Sequence, residues 1–267
     1  MKFSGKGSVV FALGLFLLFG STTQGQEFWE KKQYQAWSEE ECRKLLTNSP
    51  WARSHTLSQT IIQPLQAPGL NSTMGSLETA RTPDPSARED VGRARQARPE
   101  LKYQAQFRSA LPIRQAIARL EQIRSKYGEM TAEQKAAFDR EIEVFLAKKF
   151  PDSFVLYVSY GSNVAVDDRE LAAHWQKQTT DTLKNDVFLI LSGGEKIPLA
   201  AYAVSKGAGR DFQFVFPRTH EGRPVIRSED KAVQLEFQHP KIRDQRNSRV
   251  LISFKVEKML LAGEVIY

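Results

Sequence analysis

FVLYVSY, residues 154–160, is where the apolar residues of this chain stop recurring every three or four positions and begin recurring every two. The run is apolar on both faces, as a central strand requires, and Val187 to Leu191 reads the same way. Downstream, Phe212, Phe214 and Phe216, then Val233, Leu235 and Phe237, then Val250, Ile252, Phe254 and Val256 alternate with polar neighbours, which predicts three half-buried strands. Ser192-Gly193-Gly194 turns the chain, and Ile197 to Val204 is expected to return beside Val187 to Leu191, with Pro198 confined to an edge or bulge. Asp167 with Glu170 predicts a capped helix that turns Leu171, Trp175 and Leu183 inward. About eight or nine strands with three or more helices result, and short alternating strands joined by turns point to a packed pair of sheets. The expected class is α+β and β-rich: an immunoglobulin-like or related antiparallel β-sandwich with helical insertions. An α+β open sheet covered by helices on one face is the alternative.

Working toward the N-terminus, the period becomes helical. Tyr103 to Ser109 reads as a strand, and Pro112 suits a first helical turn. Ile113, Ala116, Ile117, Leu120, Ile123 and Tyr127 share one face of the helix that follows, with Gly128 at its end. Arg114, Arg119, Arg124 and Lys126 take the other face, which reads as solvated. Thr131 and Gln134 form a capping-box signature, and Phe138, Ile142, Phe145 and Leu146 predict a buried stripe up to Pro151. Residues 112–150 therefore read as a helical hairpin within a domain spanning 101–267.

Residues 64–100 lie outside that pattern. Pro64, Pro68, Pro83, Pro85 and Pro99 fall among Gly, Ser and Thr, and no aromatic residue occurs between Ala52 and Lys102, so this stretch reads as a disordered linker. Before it, residues 26–63 predict a helix and a strand that dock on the main domain. Ser38 caps a helix from Glu39 to about Thr47, Glu41 can reach back to the cap, and Arg53 to Ile62 follows as a strand. Trp29, Tyr34, Trp37 and Trp51 flank that helix. They read either as docking side chains or as an interaction surface for stacking sugars, and docking is the reading preferred, because a short helix needs large side chains to hold it.

The first 25 residues carry Lys2 and Lys6, an apolar run from Val9 to Phe19, and small or polar residues to Gly25. This is the layout of a secretory signal peptide, with cleavage expected near Gly25 and an extracytoplasmic, periplasmic or secreted destination. Loss of the two lysines would lower the formal charge from +7 to +5, a surplus too diffuse for a nucleic-acid surface. No later apolar run reaches membrane-spanning length. Cys42 is the only cysteine, so intrachain disulfides are excluded, and it reads as a buried, inert thiol.

Three stretches, WSEEECRKLLTNSPWA (37–52), FRSALPIRQAIARLEQIRSKY (107–127) and FKVEKMLLAGEVIY (254–267), resemble parts of a family of exported bacterial proteins of unknown function. The resemblance implies an envelope or secreted location and brings no activity with it.

The chemistry-bearing residues form no motif. His55, His174, His220 and His239 stand singly, without metal-ligand spacing. Ser159 and Ser162 do not fit G-x-S-x-G, Gly207 and Gly209 do not fit a phosphate loop, and Asp167 and Asp168 do not fit a calcium loop. No catalytic, cofactor-binding or metal-ligating residue is assigned. The expected function is a non-catalytic interaction or structural module of the cell envelope, with an envelope protein or polymer as partner. A carbohydrate-binding or hydrolytic protein acting on envelope polymers, and a small-ligand carrier with an apolar cavity between its sheets, are the alternatives.

Overall fold

The computed structural model describes residues 27–58, 100–204, 209–242, 248–261 and 263–267. The signal-like segment, the linker as far as residue 99, the end of the Arg53 to Ile62 strand and Gly207 lie outside the described residues. In chain order the main elements are α1 (Phe28–Lys31), α2 (Glu39–Thr47), β1 (Ala52–Ser58), β2 (Glu100–Phe107), α3 (Leu111–Arg124), α4 (Ala132–Ala147) and β3 (Ser153–Ser162). They continue with α5 (Ala165–Lys177), α6 (Thr180–Leu183), β4 (Phe188–Ile190), β5 (Lys196–Pro198), β6 (Ala201–Val204) and β7 (Asp211–Pro217). Short hairpin strands β8 (Thr219–His220) and β9 (Arg223–Pro224) lead to β10 (Ala232–His239) and β11 (Ser248–Lys255), and β12 (Leu260–Leu261) and β13 (Glu264–Val265) close the chain.

The fold is a β-rich α+β arrangement of two antiparallel sheets, ordered β1-β2-β3-β7-β6 and β11-β10-β4-β5. Alternation aims one face of each sheet at the other. Tyr103 on β2 meets Phe237 on β10 with ring centroids 5.0 Å apart, and Phe107 meets Phe254 on β11 at 4.8 Å. Phe212, Phe214, Phe237 and Phe254 are all fully buried, so the space between the sheets is filled by ring-on-ring contact. This strand order does not by itself establish an immunoglobulin-like topology, in which the sheets follow a different sequence of strands.

Three sequence expectations are corrected. The segment expected to run as one strand from Ile197 to Val204 is two: β5 pairs with β4, and after Leu199 and Ala200 the chain crosses to pair β6 with β7 in the other sheet. Pro198 accordingly sits on β5, an edge strand, where its missing N–H costs no ladder bond. The helix expected to start from an Asp167 cap begins three residues earlier, at Ala165 with Val164 in the cap position, and Asp167 lies inside its first turn, accepting from the Ser162 hydroxyl. In the predicted stripe of α4, Ile142 is buried but Phe145 is 36% exposed, because the helix meets the body along a narrower seam than the spacing suggests.

The N-terminal segment covers the outer face of the five-stranded sheet. Tyr103, Ala105 and Phe107 point inward, so Gln104 and Gln106 point outward, and both donate their amides to the Leu46 carbonyl at the end of α2. The capping box is formed: Ser38 Oγ accepts from the Glu41 N–H while Glu41 accepts from the Ser38 N–H. Cys42 is buried on this helix, and burial pushes its thiol up to about 11. The thiolate is scarce at neutral pH.

Candidate functional site

The opposite flank of the sandwich is closed by α5, and there the fold brings together residues that stand far apart in sequence. Leu171 and Trp175 are the inward residues of α5. The Trp175 ring reaches Phe212 at 4.2 Å and Phe237 at 5.8 Å, so it touches rings from both sheets and plugs the gap between them. One residue earlier on the same helix, His174 turns toward a cleft of about 560 Å³ between α5, α6 and the end of β10. That volume lies within the roughly 300–1,000 Å³ usual for ligand sites.

His239, the last residue of β10, lines the cleft from the other side and is 1% exposed. Its Nδ1 lies 2.9 Å from the Tyr103 hydroxyl, deep in the core. Burial raises the Tyr103 pKa far above that of an ordinary phenol, so the hydroxyl keeps its proton and can donate it to Nδ1, leaving the ring proton on Nε2.

His174 is half-buried, and burial, reinforced by nearby Lys177, lowers its pKa below the usual histidine value. Its neutral form is also the one its neighbour selects. The Gln178 amide nitrogen lies 3.3 Å from His174 Nε2 and 3.3 Å from the His174 carbonyl oxygen, so it donates to both, and a protonated Nε2 could not accept. Gln178, Thr182 and Gln238 add amide and hydroxyl groups to the lining, with Asp186 and Lys241 exposed at the rim. The cleft thus presents hydrogen-bonding groups of both kinds and little net charge.

That His174 and His239 line one cleft is not legible in the sequence, where α6 and the six strands β4 to β9 lie between them. The only available signal was that His239 ends a strand whose inward positions are Val233, Leu235 and Phe237, which places its side chain on the buried face.

The aromatic residues singled out from the sequence are elsewhere and are used for packing. Trp37 is 1% and Trp51 0% exposed, so neither offers a surface to a partner. The Trp51 Nε1 donates to the Ile266 carbonyl at 2.6 Å, and the Trp37 Nε1 to the Lys32 carbonyl at 3.2 Å. Trp29 and Tyr34 are half-buried, with their rings edge-on to Trp51 and Trp37 respectively. His55 lies on β1 and His220 on β8, neither of them in the cleft. Asp168 accepts from the Ser162 N–H and pairs with Arg210 at 2.8 Å, which ties the start of α5 to the sheet.

Among the described residues no helix is long and apolar enough to cross a membrane. No protein-family model matches the chain, and no curated protein and no solved structure is significantly similar to it.

Proposed function

We propose that the protein is an exported, non-catalytic interaction module of the bacterial cell envelope, and that the cleft between α5 and β10 is its binding face. The observation that carries the binding reading is that both imidazoles already use a ring nitrogen within the fold: His174 Nε2 accepts from Gln178, and His239 Nδ1 faces Tyr103. A general base needs an open lone pair within reach of the proton it removes. With these nitrogens engaged, the cleft offers donors and acceptors to a partner rather than proton transfer. Two glutamines, a threonine, and a rim carrying one acid and one base suit a polar segment of another protein. Export is supported by the layout of Lys2, Lys6 and residues 9–19, and the bacterial setting by the resemblance carried by residues 37–52, 107–127 and 254–267.

The two other readings draw less support. Sugar stacking wants accessible indoles, whereas Trp37, Trp51 and Trp175 are fully buried and Trp29 is half-buried against its neighbours. A carrier wants a cavity between the sheets, where aromatic rings are in contact instead.

A tagged copy cross-linked in intact envelopes is expected to bring down a defined protein, and Thr182→Trp, which fills the cleft from an exposed position, to release it. Equal recovery with both forms would place the binding face elsewhere. Turnover of an envelope polymer by the purified protein would overturn the non-catalytic reading, and recovery of an intact N-terminus from the extracytoplasmic fraction would overturn cleavage near Gly25.

A further inference from the structure

The end of the sandwich away from α5 holds a second pocket, of about 490 Å³, between the start of α3, the C-terminal end of α4 and Arg218. Its chemistry is unlike that of the cleft. Four cations line it, Arg114, Lys148, Lys149 and Arg218, together with the Phe150 ring and no acid. Several basic side chains elsewhere pair with acids: Lys32 with Glu41, Arg43 with Glu39, Lys196 with Glu236, Arg210 with Asp168. Arg114, Lys148 and Lys149 pair with no carboxylate among the described residues, and Asp152, the acid closest to the two lysines in sequence, is exposed, whereas Arg218 donates from Nη2 to an oxygen of Tyr267.

The two guanidinium groups are fixed in place by main-chain oxygens. Arg114, expected on the solvated face of α3, is instead 8% exposed. Its Nη1 donates to the carbonyls of Phe145, Leu146 and Lys148 at 3.2, 2.6 and 2.8 Å, where α4 leaves carbonyls without helical partners. Arg218 Nε donates to the Phe150 carbonyl at 2.5 Å, its Nη2 donates to the Tyr267 oxygen, and its guanidinium lies 4.4 Å from the centre of the Tyr267 ring. Carbonyl dipoles position Arg114 without cancelling a full charge, since the end of α4 contributes only about half a negative charge, whereas the Tyr267 oxygen offsets part of the Arg218 charge. Lys148 and Lys149 are exposed at the mouth, and Lys148 sits 5.3 Å from the Phe150 ring centre. The result is a concave patch with one buried cation, Arg114, and two exposed ones, Lys148 and Lys149, beside the engaged Arg218; its field is concentrated where water is partly excluded.

We infer that this pocket binds a phosphate ester. Several convergent cations match the charge and multiple oxygens of a phosphoryl group better than a single carboxylate. The volume exceeds what a bare oxyanion fills, and Phe150 with Leu146 gives the organic part an apolar wall. The ester is either a free phosphorylated solute or the headgroup of an anionic phospholipid.

The test is calorimetric titration of the protein with glycerol 3-phosphate, beside sedimentation with vesicles of phosphatidylglycerol in phosphatidylcholine or of phosphatidylcholine alone. Saturable binding is expected in the first arm, the second, or both. Saturation with glycerol 3-phosphate alone identifies a free solute, and association with the phosphatidylglycerol vesicles alone identifies a headgroup. Lys148→Ala combined with Lys149→Ala removes two exposed side chains, so folding is retained, and should weaken the affinity by about tenfold or more, since each lysine lost takes away a charge-assisted contact to the phosphoryl oxygens. Lys177→Ala combined with Lys184→Ala removes the same charge from the α5–α6 region and should leave binding unchanged. The inference is overturned if neither ligand binds the unaltered protein, if the pocket variant binds as well as the parent, or if the control variant loses as much as the pocket variant.

Discussion

Two helices of this protein begin with the same device and are held in opposite ways. Both α2 and α4 carry complete capping boxes, Ser38 with Glu41 and Thr131 with Gln134. Yet α2, of 9 residues, buries Cys42 and Leu45 completely between flanking tryptophans, while α4, of 16 residues, buries only Ile142 and leaves Val144 75% exposed. Isolated helices shorter than about 12–15 residues are marginal in water, so α2 exists because it is docked. The longer α4 needs less tertiary burial and is anchored through polar contacts: Arg114 on its last carbonyls, and Asp139 accepting from the Tyr127 hydroxyl at 2.7 Å. Caps choose where a helix starts; they do not decide how it is held.

The comparison is broken most easily at Trp37. Its ring lies edge-on to Phe28 at 5.5 Å and Tyr34 at 6.4 Å, and its own carbonyl accepts from Arg119 Nε at 2.9 Å, so the residue links α1, α2 and α3. Trp37→Ala should destabilise the whole protein by about 3–5 kcal/mol, the range for a large aromatic removed from a packed site. Denaturant unfolding measures this; a loss below about 1 kcal/mol would mean that α2 is not held by packing. Next in size is Arg114→Met, which keeps the apolar stem and strips three carbonyls of their shared donor. About 1.5–3 kcal/mol should be lost. Hydrogen exchange should show the loss concentrated in the last turn of α4, in contrast to the global effect at Trp37.

The sequence made much of this comparison readable, and its failures share a cause. The strands with Phe212, Val233 and Val250, both capping boxes and the helix from Glu39 to Thr47 follow from local pattern, because alternation and caps act within a few residues. Arg114 was misread because helical spacing puts it opposite Ile113 and Ala116 only if a single face of α3 is covered. The end of α4 covers a second face, and that arrangement is a long-range fact. The crossing of the chain from β5 to β6 was hidden likewise, since Ile197 to Val204 has no internal signal saying that its halves belong to different sheets. The cleft is illegible for the same reason: His174 and His239 come to line it through tertiary packing, against Trp175 and Tyr103 respectively.

Smaller effects sharpen the contrast. Ser38→Ala and Thr131→Ala should each cost about 1 kcal/mol, the usual loss for an N-cap hydroxyl. Equal costs would confirm that the caps act alike while the anchoring differs. Acidification should act on α5 through His174. Because the folded pKa of His174 lies below its unfolded value, the unfolded chain binds the extra proton first. The contribution of this residue is therefore complete above the unfolded value of about 6.5 and is lost as pH falls through the lower folded value. Unfolding midpoints at pH 7.5 and 5.5 should differ more in the parent than in His174→Gln; an identical pH response in the two would mean that His174 titrates as it does in the unfolded chain.

The smallest effect should come from the outward side of α4. Val144→Glu places a charge on a residue already 75% exposed, so little apolar burial is lost, and the expected change is within about 0.5 kcal/mol. The same substitution on α2, Leu45→Glu, would bury a carboxylate in a fully enclosed position and should prevent folding. A large loss at Val144 would show that this face of α4 is covered in the folded protein in solution, and the helix would then be docked, as α2 is, rather than anchored by Arg114 and its cap. Measured by thermal unfolding across a range of protein concentrations, such a loss would also reveal whether the cover is a second copy of the chain, because only then would the midpoint of the parent rise with concentration.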